Sequence, residues 1–411
     1  MNERLKNMLK NAYENVPYYR NLFNELGIDI SSICNYEKFQ QIPLLNKEIL
    51  RKNQADFIND NFNVEDLGVG FTSGSTGEVL KVYWSKDDVY RADIELWRMR
   101  KRFGIVPMSR KCALLFDTEL KNNKNIFFIN GNSININTSL LTKENFYITW
   151  EKINEFRSEY IVSTPSLILM FLRLAKDSNC APNNGIKYIE LCGEYLSDAV
   201  RDEIQAYFKK AIIVNHYGCR ETRLIGIECE KGNMHYIDQN VFVEFLMDGK
   251  PVKPGEKGKV YVTSLNNYAM PLIRYELGDI GCFTNYNCQC GDDKKVIKIF
   301  AGRDNDYIKM RDNSKVSSVV FWGAVNYVNL KLFNCIISFS IIQKDYERFL
   351  VNFITKENIN KKEIEKYFEK YICQFPQNEG KWSFEYKYCD KIEINKKSGK
   401  LRYFSSELSL M

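Results

Sequence analysis

The sequence predicts an α/β protein with a large amino-terminal domain and a small α+β carboxy-terminal domain. The chain of 411 residues is long enough for two or three domains. Between residues 111 and 215, short apolar runs alternate with helix-like stretches, which is typical of a largely parallel sheet. Residues 241–285 change to strand–turn–strand and predict a more antiparallel subdomain, and we expect the amino-terminal domain to include a small barrel-like part. We therefore expect layered sheets within residues 1–303 and a separate domain over residues 304–411.

The amino-terminal elements follow from local patterns. Residues 3–27 carry apolar side chains at helical spacing, and Val16-Pro17 interrupts the pattern, because the residue before a proline avoids helical backbone angles. We expect an amphipathic helix that is broken there. Residues 67–85 predict a strand, a Gly/Ser/Thr turn and a second strand, and residues 86–104 predict a helix.

Individual strands and helices can be predicted for residues 111–215 and for the carboxy-terminal region. The predicted strands are Ala113–Phe116, Tyr160–Ser163, Ile186–Leu191 and Ile212–Asn215, and the predicted helices are Ser166–Asp177, Ser197–Lys210 and Lys361–Tyr371. The most apolar run, Leu332–Ile342, is far shorter than the about 18 residues that cross a bilayer. It predicts a buried strand, and we expect no membrane span.

Composition excludes several classes of protein. Hydrophobic residues make up 45% and charged residues 27%, as in ordinary globular domains. The formal charge of +6 is spread along the chain, so we expect no nucleic-acid partner. The charged amino terminus is unlike a signal peptide, which predicts a cytoplasmic protein. Its twelve cysteines are then reduced thiols or metal ligands and not a disulfide framework.

Four of these residues have the spacing of a zinc site. Cys229 and His235 form one pair, and Cys288 and Cys290 form the other, followed by glycine. Thiolates and imidazole in short paired spacing suit tetrahedral Zn²⁺, and four protein ligands leave no open position. The pattern predicts a structural zinc. The alternative is a group of buried cysteines beside an unrelated histidine.

A glycine-rich segment between the first two predicted strands predicts a phosphate-binding loop. Glycines let successive backbone amides converge on an anion, and the neighbouring hydroxyls add donors. The alternative is a plain hairpin turn. The segment is not a Walker loop, since no Lys-Ser/Thr follows the second glycine. Its residues are Thr72, Ser73, Gly74, Ser75, Thr76, Gly77 and Glu78.

This segment is the first of five motifs that occur in a recognisable order. The other four are His216–Glu221, Ile273–Asp279, Ala301–Lys309 and Lys397–Arg402. Together they resemble the signature motifs of the adenylate-forming superfamily of acyl- and aryl-CoA synthetases and adenylation domains. Features of its phenylacetate–CoA ligase and CapK-like branch are seen in Val16–Arg20, Ile42–Lys47 and Cys192–Leu196.

The resemblance implies an enzyme, an AMP-forming acid–thiol ligase of biosynthesis. ATP would activate a carboxylic acid as its acyl-adenylate, and the acyl group would pass to coenzyme A or to the phosphopantetheine of a carrier protein. It also implies that residues 304–411 form a mobile lid. Two alternatives stay open. One is a degenerate, non-catalytic nucleotide-binding member of a biosynthetic assembly, and the other is an adenylating enzyme that passes the acyl group to an amine or hydroxyl.

The resemblance also assigns nucleotide contacts to matching positions. For the phosphates these are Thr72, Ser73, Gly74, Ser75, Thr76 and Gly77; for the adenine, Gly193, Glu194, Tyr217 and Gly218; for the ribose, Asp279 and Arg303. Some members of this branch carry a zinc site with a similar pattern of cysteines and histidine.

The catalytic positions implied by the resemblance are Lys400 and Glu221. Lys400 would bridge the carboxylate and the α-phosphate, and Glu221 would hold Mg²⁺, a hard cation that suits carboxylate and phosphate oxygens. Asn305 stands at the hinge. Two departures bear on activity: Arg220 replaces the threonine before the Mg²⁺ glutamate, and Glu78 replaces the lysine that ends the phosphate loop.

Overall fold

A computed structural model gives the structure of the chain. It describes residues 2–33, 35–73, 79–115, 125–181, 183–196, 198–303, 307–312, 314–333, 335–356, 358–375, 378, 381–390, 392 and 403–408.

The described residues form ten α-helices and twenty-one strands. The helices are α1 Glu3–Asn15, α2 Pro17–Glu25, α3 Tyr36–Phe39, α4 Lys47–Lys52, α5 Lys86–Arg102, α6 Lys143–Glu155, α7 Pro165–Asp177, α8 Asp198–Tyr207, α9 Val319–Lys331 and α10 Lys361–Ile372. The strands are β1 Gly68–Ser73, β2 Val79–Trp84, β3 Lys111–Leu115, β4 Phe127–Asn130, β5 Ser133–Asn137, β6 Tyr160–Ser163, β7 Tyr188–Cys192, β8 Ile212–Cys219, β9 Arg223–Glu228, β10 Met234–Tyr236, β11 Val241–Met247, β12 Lys250–Pro251, β13 Gly258–Ser264, β14 Tyr275–Phe283, β15 Ile297–Arg303, β16 Tyr307–Lys309, β17 Lys315–Ser317, β18 Ile336–Gln343, β19 Arg348–Thr355, β20 Ser383–Tyr388 and β21 Phe404–Ser406.

The chain forms two compact units, each made of two stretches of sequence. Unit 1 contains residues 1–109 and 214–300, and unit 2 contains residues 110–213 and 301–411. The predicted domain boundary between residues 303 and 304 stays a prediction. It lies close to the point where the chain enters unit 2 for the second time, but unit 2 joins the carboxy-terminal region to residues 110–213.

The amino-terminal helices of unit 1 cover its core. The Asn2 side chain caps α1, and its apolar stripe is buried. Pro17 occupies the first turn of α2, where its missing N–H costs nothing. On α2, the buried Tyr19 hydroxyl donates to the carbonyl of Pro271 at 3.2 Å and accepts from the amide of Ile273 at 2.9 Å. These bonds hold the helix beside the strand that follows, β14.

Three groups of strands complete unit 1. Strands β1 and β2 form an antiparallel pair on either side of the predicted phosphate loop. Strands β8, β9 and β10 pair antiparallel. The region around residues 241–285, which was predicted to be barrel-like, forms a five-stranded sheet with the strand order β12-β11-β13-β14-β15. The described part of this unit has one continuous hydrophobic core.

Unit 2 begins with a mainly parallel sheet. Strands β7, β6, β3 and β5 are parallel neighbours, and β4 pairs antiparallel at the edge. Parallel strands need crossover connections, and α6 and α7 provide two of them. Helices α7 and α8 pack against each other.

The carboxy-terminal region of unit 2 has its own core. Four strands run in the order β20-β19-β18-β21. Helices α9 and α10 pack together, and the cluster is rich in aromatic rings, among them Phe321 and Phe368. This is the small α+β architecture that the sequence predicts for residues 304–411.

Most predicted elements are confirmed within a few residues, and the α/β class is confirmed. The predicted strand Leu332–Ile342 is partly wrong, because α9 runs to Lys331 and β18 begins only at Ile336. In the described residues, no helix combines the length and apolarity that a membrane crossing requires.

Candidate active site and metal cluster

In unit 1, Tyr217 and Asp279 come from two different motifs and meet directly. The Tyr217 hydroxyl donates to Asp279 Oδ2 at 2.8 Å, although 62 residues separate them in sequence. Both side chains are half-buried. An aromatic face and a carboxylate side by side can contact a purine and the ribose hydroxyls of one nucleoside.

Irregularities in both strands position this pair. In β14, Leu277, Gly278 and Asp279 stand opposite the single residue Val260 of β13, because the register shifts there. Gly278 has φ of 81°, a left-handed conformation that favours glycine. In β8 the register also shifts next to Tyr217. A side chain at the following residue, Gly218, would lie 2.4 Å from a backbone oxygen of β9. Such bulges re-aim side chains.

Glu221 lies in the turn after β8 and is 4% exposed. Its Oε1 accepts from the Tyr275 hydroxyl at 3.3 Å and lies 3.9 Å from the Lys47 ammonium. Lys47 reaches it because the backbone of Leu45 hydrogen-bonds both neighbours of Tyr275, namely Arg274 and Glu276. The Glu221 carboxylate is thus buried next to one hydroxyl and one ammonium group. Carboxylate oxygens are suitable ligands for a hard metal cation.

A buried ion pair fixes the start of β14. Arg274 is 2% exposed and donates to both carboxylate oxygens of Glu244 at 3.0 and 3.1 Å. It also donates to the carbonyls of Gln40 and Ile42. The Tyr36 hydroxyl donates to Glu244 at 2.8 Å. Arg274 has φ of 53°, which is strained for a residue other than glycine. The network holds the backbone that carries Tyr275.

Arg220, the first departure from the family pattern, is exposed. Its carbonyl accepts from the Trp84 indole at 3.2 Å. The Arg220 Cβ is 3.9 Å from the position that a Cβ at Gly70 would occupy, so Arg220 lies beside β1, the strand that enters the phosphate loop.

Cys219 and Thr222, on either side of Arg220 and Glu221, contact each other. The Thr222 hydroxyl is 3.2 Å from the Cys219 sulfur. Burial, helped by the charge of Glu221, raises the pKa of Cys219 to about 12, so its thiol is neutral.

The other predicted positions lie in unit 2, at the end of β1 in unit 1, or outside the residues that the structure describes. Gly193, with φ of 81°, and Glu194 follow β7, and Arg303 ends β15. Thr72 and Ser73 end β1. Six further predicted positions lie outside the residues that the structure describes: Gly74, Ser75, Thr76, Gly77, Asn305 and Lys400. Their roles, like those of the described site residues, stay predictions.

The structure brings Cys229, His235, Cys288 and Cys290 together in unit 1, with their ligand atoms all within 4.8 Å of one another. The Cys229 and Cys288 sulfurs are 3.7 Å apart, and Cys290 Sγ is 3.3 Å from His235 Nε2. A tetrahedron with metal–sulfur bonds of 2.3 Å has sulfur–sulfur edges of about 3.8 Å. The first distance matches that edge, and a disulfide requires about 2.05 Å.

The groups around this cluster favour metal binding. His235 Nδ1 lies 3.0 Å from the carbonyl of Lys294, which leaves Nε2 as the free donor atom. The Lys231 amide and the Asn233 side chain donate to Cys229 and Cys288, each at 3.3 Å. At Cys288 burial acts to raise the pKa, but hydrogen bonds from His235 and Cys290 outweigh it and lower the pKa to about 6, while burial raises the pKa of the neighbouring Cys229 to about 11. A thiolate is the form that binds metals.

Sequence reasoning did not single out Lys47, Tyr275 or the Arg274–Glu244 pair as parts of this site. Lys47 and Tyr275 lie inside recognised motifs, and that position in the sequence was the signal by which they could have been found. No recognised motif contains Glu244, the one charged residue of the otherwise apolar strand β11, and the sequence does not identify its partner.

Comparison with known proteins identifies two regions of the chain. Residues 41–269 match the family model for AMP-binding enzymes. Residues 308–407 match the model for the CapK C-terminal domain. The first match alone covers more than half of the chain.

Curated relatives agree with these matches. A phenylacetate–coenzyme A ligase of Thermus thermophilus is 26% identical over 75% of this chain and 71% of its own length. Protein CapK of Staphylococcus aureus is 24% identical over 89% of this chain and 80% of its own length. An indoleacetate–lysine synthetase of Pseudomonas savastanoi is 28% identical over 59% of this chain and 60% of its own.

Solved structures share the fold. A 2-hydroxyisobutyryl-CoA ligase in the postadenylation state, in complex with 2-HIB-AMP, aligns with a TM-score of 0.77 and 18% identity. The alignment covers 98% of this chain and 88% of the ligase. The predicted resemblance to adenylate-forming enzymes is therefore confirmed. The chain belongs to the AMP-binding enzyme family and ends in a CapK C-terminal domain.

Proposed function

We propose that this enzyme uses ATP to activate a carboxylic acid as its acyl-adenylate and then transfers the acyl group to the thiol of coenzyme A. The observation that carries the proposal is the Tyr217–Asp279 hydrogen bond. It joins an aromatic ring suited to adenine and a carboxylate suited to ribose hydroxyls, in a family defined by AMP binding. The relatives and structural neighbours named as CoA ligases support coenzyme A as the acceptor.

The chemistry has two steps, and in each step a phosphate-containing group is the leaving group. A carboxylate oxygen attacks the α-phosphorus of ATP, and pyrophosphate departs. A thiol then loses its proton and attacks the acyl carbonyl, and AMP departs as the thioester forms. Negative charge builds up around the α-phosphate in the first step, so cations and aimed donors there lower the barrier.

Individual residues take the following roles in the proposal. Asp279 accepts from the ribose hydroxyls while Tyr217 orients it. Lys400 neutralises charge between the carboxylate and the α-phosphate. Glu221 would hold Mg²⁺, which when bound would offset phosphate charge. Lys47, 3.9 Å from Glu221, adds a cation on the same side. Arg220 beside β1 supplies positive charge near the phosphate loop, where Glu78 replaces the usual lysine.

The cysteine–histidine cluster would hold a structural Zn²⁺. All four donors come from the protein, so no coordination position is left for a substrate. Arg102 of α5 ties the cluster to the rest of unit 1: it donates to the Cys290 carbonyl at 3.1 Å and pairs with Glu230 and Asp292 at 2.7 and 2.9 Å. The metal would therefore stabilise the turns after β9 and β14.

A second candidate function is transfer of the acyl group to an amine. The relative named indoleacetate–lysine synthetase supports it. The same first half-reaction serves both functions, so only the second half-reaction separates them. A carrier-protein phosphopantetheine is a further acceptor, since it presents the same thiol as coenzyme A.

An acid-dependent pyrophosphate exchange screen tests the first half-reaction. Aryl, fatty, hydroxy and amino acids are each supplied with labelled pyrophosphate, ATP and Mg²⁺. Exchange with one class supports the adenylation function and identifies the substrate class. Each active acid is then offered coenzyme A, a phosphopantetheinylated carrier or lysine. Absence of exchange with every acid, from a protein that still binds ATP, would favour the non-catalytic alternative.

A further inference from the structure

The turn that carries Glu221 joins β8 to β9 in unit 1. It consists of Arg220, Glu221 and Thr222, and the residues on either side of it, Cys219 and Arg223, are paired across the two strands. A turn this short leaves the Glu221 backbone little freedom of its own. The position of the carboxylate therefore depends on what holds the two ends of the turn.

The backbone of Arg223, the first residue of β9, is strained. Its φ of 61° is a left-handed conformation that a glycine adopts without cost and other residues rarely adopt. The opposite strand is close, since a Cβ at Gly218 would lie 2.4 Å from the Arg223 carbonyl oxygen. Strain of this kind persists where surrounding contacts hold it. An arginine at a position that favours glycine indicates that its side chain has a role.

The Arg223 side chain crosses to helix α5, which packs against β9. Its Nε and Nη2 both donate to Oδ1 of Asp93, at 3.2 and 2.7 Å. Its guanidinium carbon lies 5.8 Å from the centre of the Trp84 ring, within the range of a cation–π contact. The side chains of Arg223 and Asp93 are 34% and 33% exposed, so water screens this ion pair only in part.

Trp84 holds the other end of the turn. It is the last residue of β2 and is 5% exposed, and its indole N–H donates to the carbonyl of Arg220 at 3.2 Å. Ser85, the next residue, caps α5, so Trp84 and Asp93 belong to one continuous strand–helix segment. This segment contacts the residue before Glu221 and the residue two positions after it.

We propose that Asp93, Arg223 and Trp84 form a clamp that positions the Glu221 carboxylate for Mg²⁺. The proposal rests on the proposed function, in which Glu221 holds Mg²⁺ beside the phosphates of ATP. The three clamp residues are positioning residues that act through Glu221. Mg²⁺ demands near-ideal octahedral geometry, so a ligand that is displaced by a fraction of an ångström binds it less well.

The Mg²⁺ dependence of ATP affinity tests the clamp in the full-length protein. Isothermal titration measures ATP binding over a series of Mg²⁺ concentrations and in EDTA. The variants are Asp93→Asn, Arg223→Gly and the double variant. Glu95→Gln is the matched control: it is the same change of carboxylate to amide on the same helix, but Glu95 pairs with Arg98 of α5 itself, at 3.0 Å.

We expect Asp93→Asn to raise the Mg²⁺ concentration that gives half of the gain in ATP affinity by about threefold, the effect of a partly exposed ion pair. Arg223→Gly should raise it by about tenfold, because the ring contact is lost as well. The double variant should be no worse than Arg223→Gly, since both changes remove the same contact. Glu95→Gln should behave as the wild type.

Two readouts separate positioning from a purely structural role. ATP affinity in EDTA should be the same in all variants. The thermal stability of Arg223→Gly should not fall, because glycine relieves the backbone strain. A wild-type Mg²⁺ requirement in Asp93→Asn and Arg223→Gly would overturn the proposal, and so would an equal loss of ATP affinity with and without Mg²⁺. If Arg223→Gly does not fold, Asp93→Asn alone decides.

Amide hydrogen exchange tests the clamp without reference to the enzyme's function. In Asp93→Asn, a peptide covering residues 219–223 should exchange about threefold faster than in the wild type and in Glu95→Gln. Unchanged exchange would overturn the clamp. A wild type whose ATP affinity does not respond to Mg²⁺ would instead refute the proposed role of Glu221. A wild type that responds, with variants that match it, refutes the clamp alone.

Discussion

The hydroxyl of Tyr217 donates a 2.8 Å hydrogen bond to Asp279, and this contact joins two irregular strands, β8 and β14. The bond orients one oxygen of the Asp279 carboxylate. We therefore expect substitutions of the two partners to affect ATP binding to different extents.

Asp279→Ala should weaken ATP binding by about 10-fold to 100-fold, because a carboxylate accepting from a ribose hydroxyl contributes about 1.5–3 kcal/mol. Tyr217→Phe should weaken it less, since the ring remains and only the orienting bond is lost. Isothermal titration of ATP measures both. Equal affinities in Asp279→Ala and the wild type, with both proteins folded, would show that the ribose lies elsewhere.

Glu221→Gln should lower pyrophosphate exchange by about 100-fold and raise the Mg²⁺ concentration required, because the buried carboxylate loses its charge but keeps its shape. Tyr275→Phe is the matched control: it removes one hydroxyl contact to Glu221, at a cost of about 1 kcal/mol. A Glu221→Gln enzyme with the wild-type Mg²⁺ requirement would contradict the role of the glutamate.

Lys400→Ala should cripple acyl-adenylate formation and leave thioester formation from supplied acyl-adenylate largely intact, because its charge is needed only while the α-phosphate is attacked. The two half-reactions are measured separately. Lys396→Ala, a lysine nearby in sequence, is the control. Equal loss in both half-reactions of Lys400→Ala would refute the assignment.

Freshly purified protein should carry about one zinc per chain, and Cys288→Ser should lower metal content and thermal stability together. Cys373 is exposed, so Cys373→Ser is the control and should change neither the metal content nor the thermal stability. Metal analysis by mass spectrometry and a thermal melt provide the readouts. A Cys288→Ser protein with full zinc and full stability would exclude the site, and metal removal that stopped only the chemistry would exclude a structural role.

Glu244→Ala should destabilise unit 1 by about 3–5 kcal/mol, because it leaves the Arg274 guanidinium buried without its carboxylate. Glu65→Ala, at an exposed position, should be near neutral. Urea unfolding followed by circular dichroism compares the two. A loss no larger in Glu244→Ala than in Glu65→Ala would mean that the pair does not hold this part of the fold.

Local chemistry made much of the fold predictable. The break between α1 and α2 follows from the backbone restriction at Pro17, and β6 was predicted with its exact bounds because an apolar run ends in turn residues. The strands on either side of the phosphate loop were predicted for the same reason. The pair β4–β5 was not predicted, although β5 alternates isoleucine with polar residues, which is a strand pattern.

The sequence by itself determined which residues are candidates for the chemistry, because a motif is a matter of residue type and spacing. It named Asp279 and the candidate metal ligands Cys229, His235, Cys288 and Cys290 before any contact was known. Only the tertiary structure decided what surrounds them: Tyr217 lies beside Asp279, and Lys47 lies beside Glu221. Those contacts join residues far apart in sequence, and burial and long-range strand register depend on how the whole chain packs, which no local pattern encodes.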